Sequence, residues 1–490
     1  MHQARSGARA RLLPAGFAVM IVIKNAFWLS ACRFTADFSG LVLFAVISRN
    51  LGPESTGEYS YAFALGAFIA IVAASGLDQY GVRQYARLTS ARDRSTCWHG
   101  MLAVQGLQVA LGIALLVFAM SFLGGQKASP ALILELSTFL ITWGMSRTFF
   151  IPAMADQAMA VPAFIELACR SAASLSALLL CLLGVTSLPL IMIGFPLAGV
   201  VLAVLALRNA MKHGASLRFR STWANVAAIA RDVTPFTLCE ALGQFYIRAD
   251  LLMLAHLLGR ASVGWYAADL KMVEVGVMPL ILLGTAVYPL LSRTALQDRD
   301  NFIKLAEEFL RSVLFVSGWL AVGLYCLVPL MMDVLFGDRF EPAGRLLPFF
   351  SVLALAKGLE IALYRLLYAA RRQNTYLTAL AFGTVLIVSL NLWLIPPFGT
   401  AGAIAAVVGS TTVVNLVCIT GLHSDIPKSV FGVALARLTL PLACTALVFL
   451  GLRSLALDEW FVAAGACLAF PIFGFACGLI RHPRRSPLFA

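Results

Sequence analysis

Charge is what this chain has little of. Asp, Glu, Lys and Arg make up 12% of it and hydrophobic residues 60%. A soluble domain runs to about 25% charged, because water has to be faced by something; most of this surface therefore has to face lipid. No charged residue occurs between Arg170 and Arg208, between Arg311 and Asp333, or between Arg372 and Asp425. A helix needs roughly 20 apolar residues to cross the bilayer core, so the last stretch holds two spans with a break at Pro396-Pro397-Phe398-Gly399. The two-residue alternation of an outer-membrane barrel is missing as well. That leaves helices, whose backbone groups are satisfied within the segment.

Catalytic signatures are also missing. There is no GxxxxGK(S/T), no HExxH and no GxSxG, which argues against ATP as a direct energy source and against metal-dependent or serine hydrolysis. The ten cysteines form no CxxC pair; Cys32, Cys97, Cys169 and Cys181 are typical in lying in or beside apolar runs, as small buried hydrophobes do. The six histidines are not spaced for a metal. No cofactor and no metal is expected. The N-terminus has Arg5, Arg9 and Arg11 before a short apolar run but no A-x-A-like cleavage site, and reads as an uncleaved cytoplasmic start.

What is there is base in excess, with a net charge of +13. Its placement argues for topology rather than nucleic acid. Turn chemistry at Leu51-Gly52-Pro53-Glu54, Gly124-Gly125, Gly184-Val185-Thr186-Ser187 and the Pro-Pro-Phe-Gly break separates fourteen predicted spans: about 27–48, 55–77, 97–123, 130–152, 158–183, 187–207, 235–258, 262–292, 306–336, 344–370, 375–395, 400–422, 430–452 and 457–480. With the N-terminus inside, 23 of the 37 Lys and Arg fall in cytoplasmic segments and six in outside loops. That asymmetry follows the positive-inside rule and puts both termini in the cytoplasm.

The longest loop, 208–234, is basic and cytoplasmic. After it the sequence repeats itself: Leu51-Gly52 through Gly57 and Tyr59, and Leu258-Gly259 through Gly264 and Tyr266, both read L-G-x-x-x-x-G-x-Y, offset by 207 residues. The expected organisation is a cytoplasmic segment 1–26, a six-helix lobe 27–207, the linker 208–234, a second six-helix lobe 235–422, two further transmembrane helices over 430–480 and a tail 481–490. Six is even, so the two lobes are a parallel pseudo-repeat.

Four segments carry a family resemblance: Lys24-Asn25 opening the first span with Leu51-Gly52-Pro53-Glu54 closing it; Arg248-x-Asp250 with Leu254; Gly264-Trp265-Tyr266-Ala267-Ala268 through Pro289; and Asn391 with Pro396 to Ala403. In this order, with the span layout, the chain resembles the oligosaccharide (Wzx-type) flippases of the superfamily that also holds the MATE exporters and the lipid II flippase. The resemblance implies two lobes around a central cavity and movement of an undecaprenyl-diphosphate-linked sugar unit across the bacterial inner membrane. The implied partners are that lipid-linked oligosaccharide, membrane lipids, and the polysaccharide polymerase and glycosyltransferases of the same pathway; nucleic acid is not among them, and the protein is not expected to be an enzyme.

Charged side chains at membrane depth cost at least about 2.5–3.5 kcal/mol each on insertion scales, so each needs a reason. Helical spacing pairs Arg33 with Asp37 and Glu166 with Arg170 at i,i+4, and Lys271 with Glu274 and Lys357 with Glu360 at i,i+3. Arg147 and Arg437 lie near cytoplasmic ends and can snorkel. Arg248 and Asp250 sit mid-span with no local partner and must face a wet cavity or a neighbouring helix. A diphosphate crossing a low-dielectric region needs cations, and Arg offers its oxygens a two-pronged fit. Arg33, Arg248, Lys271 and Arg365 are therefore the candidate substrate-binding residues, and Asp37 and Asp250 the candidates for ion or proton coupling, against the simpler role of holding arginines in place. Pro279 and Pro289 are candidate hinges in the long eighth span. Three competing readings remain: a MATE-like exporter, which would want acidic excess in its cavity; a membrane-embedded polymerase or glycosyltransferase, which would want a large loop of catalytic residues; and a scaffold, which would leave the mid-span charges unexplained.

Overall fold

A computed structural model describes residues 15–121, 127–216, 221–455 and 457–479; the Gly124-Gly125 turn and the 481–490 tail lie outside them. Among the described residues there are helices and no strands. The twelve longest helices are α1 (Ala15–Ala74), α2 (Ala91–Ala119), α3 (Pro130–Phe149), α4 (Ala160–Leu182), α5 (Gly194–Lys212), α6 (Trp223–Leu257), α7 (Arg260–Gln297), α8 (Arg299–Cys326), α9 (Leu347–Ala369), α10 (Gln373–Leu422), α11 (Lys428–Ser454) and α12 (Glu459–Ala476).

Ten described helices are long and apolar enough to cross a membrane. The expected fourteen exceeds that number, for two visible reasons. First, α1 and α10 are each interrupted. Gly52 has φ 82° and ψ −177°, and Gly399 has φ 61° and ψ −135°. At 1.5 Å per residue α10 would run to about 75 Å if straight, more than twice a bilayer core. Instead the chain doubles back: a Cβ on Gly402 would lie 2.1 Å from the Leu394 carbonyl oxygen. Second, α3 and α6 carry charges within their length, among them Glu135 and Arg147 on α3 and Glu240, Arg248 and Asp250 on α6, so composition alone does not mark them as spans.

The chain divides into two compact units. The first comprises Met1–Leu43, Ile69–Phe122 and Pro130–Leu238. There α5 packs on α3 and α4, and small residues let backbones approach, as membrane helix contacts require. A Cβ on Gly112 would meet the Ala73 side chain at 2.5 Å, and one on Gly144 the Ala74 side chain at 2.5 Å. Gln105 ties this core together: its amide donates to the Ala73 carbonyl at 2.7 Å and its carbonyl accepts from Thr148 at 2.7 Å.

The second unit comprises Phe44–Phe68, Leu123–Ser129 and Cys239–Ala490. Its core is aromatic, with Phe44, Phe336, Phe340, Phe350 and Tyr266 buried and in ring contact. α9 lies against α7, α8 and α10, while α11 and α12 pair with each other and lean on α8. The two repeated motifs meet here. Gly52 and Gly259 (φ 108°, ψ 176°) take nearly the same extended, positive-φ turn, open to glycine and costly for any residue with a Cβ. Beyond the turns the helices cross glycine to backbone. A Cβ on Gly57 would lie 1.8 Å from the Arg260 carbonyl oxygen, and one on Gly264 would lie 1.9 Å from that of Pro53. Arg260 and Pro53 occupy equivalent positions in the repeat, so the contact is reciprocal. An ion pair between Arg260 and Glu58 at 3.0 Å flanks it.

Large apolar side chains point outward from both units: Leu183, Leu197, Val385, Trp393, Leu447 and Phe461 are each at least 65% exposed. Lipid, not water, accepts such a surface.

Candidate functional site

Arg248 and Asp250, two residues apart on α6, project to different faces and meet different partners. Arg248 Nη1 lies 2.9 Å from Glu274 Oε1 on α7, and Lys271 Nζ lies 3.0 Å from the other oxygen of the same carboxylate. One acid therefore serves two cations. The Lys271 ammonium also sits 5.9 Å from the centre of the Phe44 ring. With no acid three or four residues away on its own helix, Arg248 finds its partner on a neighbouring one, in Glu274. Asp250 is 2% exposed and is held instead by the Tyr266 hydroxyl and the Leu251 amide.

Further along the same unit, Lys357 Nζ is 2.8 Å from Glu360, as the i,i+3 spacing predicts, and lies 4.9 Å from the centre of the Tyr246 ring. The Tyr376 hydroxyl donates to the second Glu360 oxygen at 3.3 Å. Asp250, Glu274, Lys357, Glu360, Tyr246, Tyr364 and Tyr376 all line one cavity of about 300 Å³, whose remaining walls are Leu, Ile and Val side chains with Gly243. Arg365 is different from the other candidate cations. It is half-buried, donates to the Thr285 hydroxyl at 3.0 Å, and has no carboxylate within 4.0 Å among the described residues.

The first unit holds a smaller network. Arg170 Nη2 lies 2.6 Å from Asp37 and Nη1 lies 3.8 Å from Glu166, its i,i+4 neighbour. Trp143 donates to Glu166 at 2.8 Å and offers its ring to the Arg170 guanidinium at 5.1 Å. Asp37 thus has a guanidinium from another helix; the Arg33 side chain lies outside the described residues. Arg147, placed near a helix end by its sequence, makes an ion pair with Asp78 at 2.5 Å. Pro279 and Pro289 both lie inside the continuous helix α7.

Asp269, like Glu135, receives no role from its sequence position. Asp269 is fully buried on α7, and neither carboxyl oxygen meets a hydrogen-bond partner among the described residues. Its i,i+3 and i,i+4 neighbours carry no cation, which is the signal that would have set it apart from Glu274 and Glu360. Among the described residues no group of three or more His, Cys, Asp or Glu is placed to hold a metal.

Residues 22–295, more than half of the chain, match the family described as polysaccharide biosynthesis protein. No curated protein matches the chain in sequence. Solved structures match it in fold. Lipid II flippase MurJ in an inward closed conformation gives a TM-score of 0.72 at 15% identity, over 92% of this chain and 99% of that one. An inward-facing multidrug resistance MATE family transporter of the MOP superfamily gives 0.58 at 13%, over 80% of this chain and 94% of that one. The Vibrio cholerae MATE transporter VcmN in its bent form gives 0.53 at 14%, over 82% and 97%. The chain belongs to the polysaccharide biosynthesis protein family and has the fold that MurJ and the MATE transporters share.

Proposed function

We propose that this multi-pass membrane protein flips an undecaprenyl-diphosphate-linked oligosaccharide, a surface polysaccharide repeat unit, across the bacterial inner membrane by alternating access. Both termini are cytoplasmic in this reading, two six-helix lobes flank the 208–234 linker, and the polymerase and glycosyltransferases of the same pathway are its working partners. The observation that carries the proposal is the state of the second unit's cations. Two of them, Arg248 and Lys271, share the single carboxylate of Glu274, and Arg365 faces a hydroxyl and aromatic rings instead of an acid. Such groups retain unspent attraction for a diphosphate. An exporter of organic cations would favour acids left over after pairing and open to the cargo. Among the described residues Asp250 and Asp269 do lack a cation, but they are 2% and 0% exposed, and Asp250 is taken by the Tyr266 hydroxyl and the Leu251 amide. Arg33 is the substrate-binding candidate of the first lobe, and Asp37 and Asp250 the coupling candidates. The family match and the MurJ fold both support transport over sugar polymerisation.

The test uses cells whose own copy is replaced by a variant. A hydrogen bond to a charged group is worth about 1.5–3 kcal/mol, so Arg365→Gln is expected to lower export of the lipid-linked sugar roughly tenfold or more, at normal protein abundance. Export at the wild-type rate would overturn the assignment of Arg365.

A further inference from the structure

Four tyrosines gather around Arg365. Tyr364 and Tyr368 stand one turn apart near the end of α9, Tyr376 opens α10, and Tyr288 lies on α7. Tyr364, Tyr368 and Tyr376 form a closed triangle of ring contacts, with centroids 5.7, 5.8 and 6.0 Å apart. The Arg365 guanidinium sits 4.9 Å from the centre of the Tyr364 ring and 5.8 Å from that of Tyr288. Its Nε is buried and meets no acceptor. Gly284 leaves room beside it: a Cβ there would lie 3.3 Å from that same Nε.

Tyrosines at helix ends commonly mark the membrane interface, with rings among lipid headgroups. These rings turn to each other and to an arginine, and Tyr364 and Tyr376 line the internal cavity. An interface belt does not account for that. Nor does core packing alone, since Tyr368 is 38% exposed and the arginine's own donor is left over.

We infer that this cluster is a binding site for the pyranose ring joined directly to the diphosphate. The inference rests on the flippase reading and names the part of the substrate that the second unit inspects. A pyranose has a face of C–H bonds and a rim of hydroxyls. Aromatic faces carry negative potential and take up polarised C–H groups, while phenol hydroxyls and a guanidinium supply partners for the rim. Arg365 lies where the sugar meets its phosphate, so one residue contacts both. The rings form a platform at the end of the cavity that holds Lys357 and Glu360.

The experiment titrates two soluble probes, farnesyl diphosphate and farnesyl diphosphate linked to N-acetylglucosamine, into the purified full-length protein in detergent. The wild type is expected to bind the sugar-bearing probe about tenfold more tightly. Tyr364→Leu and Tyr376→Leu should bring the two affinities within about twofold, because they weaken the sugar-bearing probe more than farnesyl diphosphate; Tyr364→Phe, which keeps the ring, should preserve most of the difference. Arg365→Gln should weaken both probes. Equal binding of the two probes to the wild type, or Leu variants that keep the full difference or weaken both probes alike in a folded protein, would overturn the sugar site. Absence of binding of either probe to the wild type would sink the flippase reading itself.

Discussion

Glu274 stands between Arg248 and Lys271, and the arithmetic of that triad separates its members. Arg248→Ala leaves Glu274 still paired with Lys271, so the variant strands no buried charge. It is expected to fold at near-normal abundance and to lose export. Arg248→Lys keeps the charge without the fork and should retain part of the transport. Glu274→Gln strands two cations instead. Breaking a fully buried pair from one side costs roughly 3–5 kcal/mol; this half-buried triad should lose less, as a drop in folded protein that Arg248→Gln on the same chain restores in large part. Normal abundance for Glu274→Gln would show that both cations reach water. The coupling candidates obey a different logic. Asp37 is held by Arg170 and Asp250 by a tyrosine hydroxyl. The Asn variants should insert normally and lose dependence of transport on pH or the ion gradient; transport with unchanged gradient dependence in both would remove these acids from consideration.

At the scale of elements, the glycine crossing gives a test with an unusual sign. Gly57→Ala and Gly264→Ala each drive a Cβ into a backbone carbonyl, at 1.8 and 1.9 Å, and backbone cannot rotate out of the way as a side chain can. Each alone should lower the melting temperature of the purified protein. Because both press the same two helices apart, the second substitution meets a gap the first has opened. The double variant should therefore lose less than the sum of the two; additive losses would mean the contacts are independent. The same scale explains what could be read from residues in order. Lys271/Glu274, Lys357/Glu360 and Glu166/Arg170 lie on single helices, where a separation of three or four fixes the geometry. The Arg248–Glu274, Arg170–Asp37 and Arg147–Asp78 contacts depend on which helices are neighbours. So does the tyrosine cluster: Tyr364 and Tyr368 are one turn apart in sequence, but nothing local brings Tyr288 or Tyr376 to them. The all-helical membrane fold was legible because uncharged runs of more than 20 residues have few physical uses.

For the whole molecule, orientation is the property on which every functional statement depends. Reporter fusions after residues 95, 215, 300 and 485 are expected to report cytoplasmic, and fusions near 126 and 339 external. An external signal at 215 would invert the map, since the 208–234 loop carries the largest group of bases between spans. The tyrosine platform lies at the end of α9 that this map places in the cytoplasm, the side from which the proposed substrate would enter. The reciprocal crossing of the two L-G-x-x-x-x-G-x-Y motifs has a further consequence. A chain bearing one copy of the motif would offer a glycine and a carbonyl to a second such chain and close the same contact as an isologous dimer. Such a dimer must be held by affinity. Here both copies are on one chain, so the contact is intramolecular and needs no affinity between separate chains. Relieved of having to assemble two chains, the crossing inside the second unit is free to be weak, and under the proposed alternating access a weak contact between backbones is one that can open and close again.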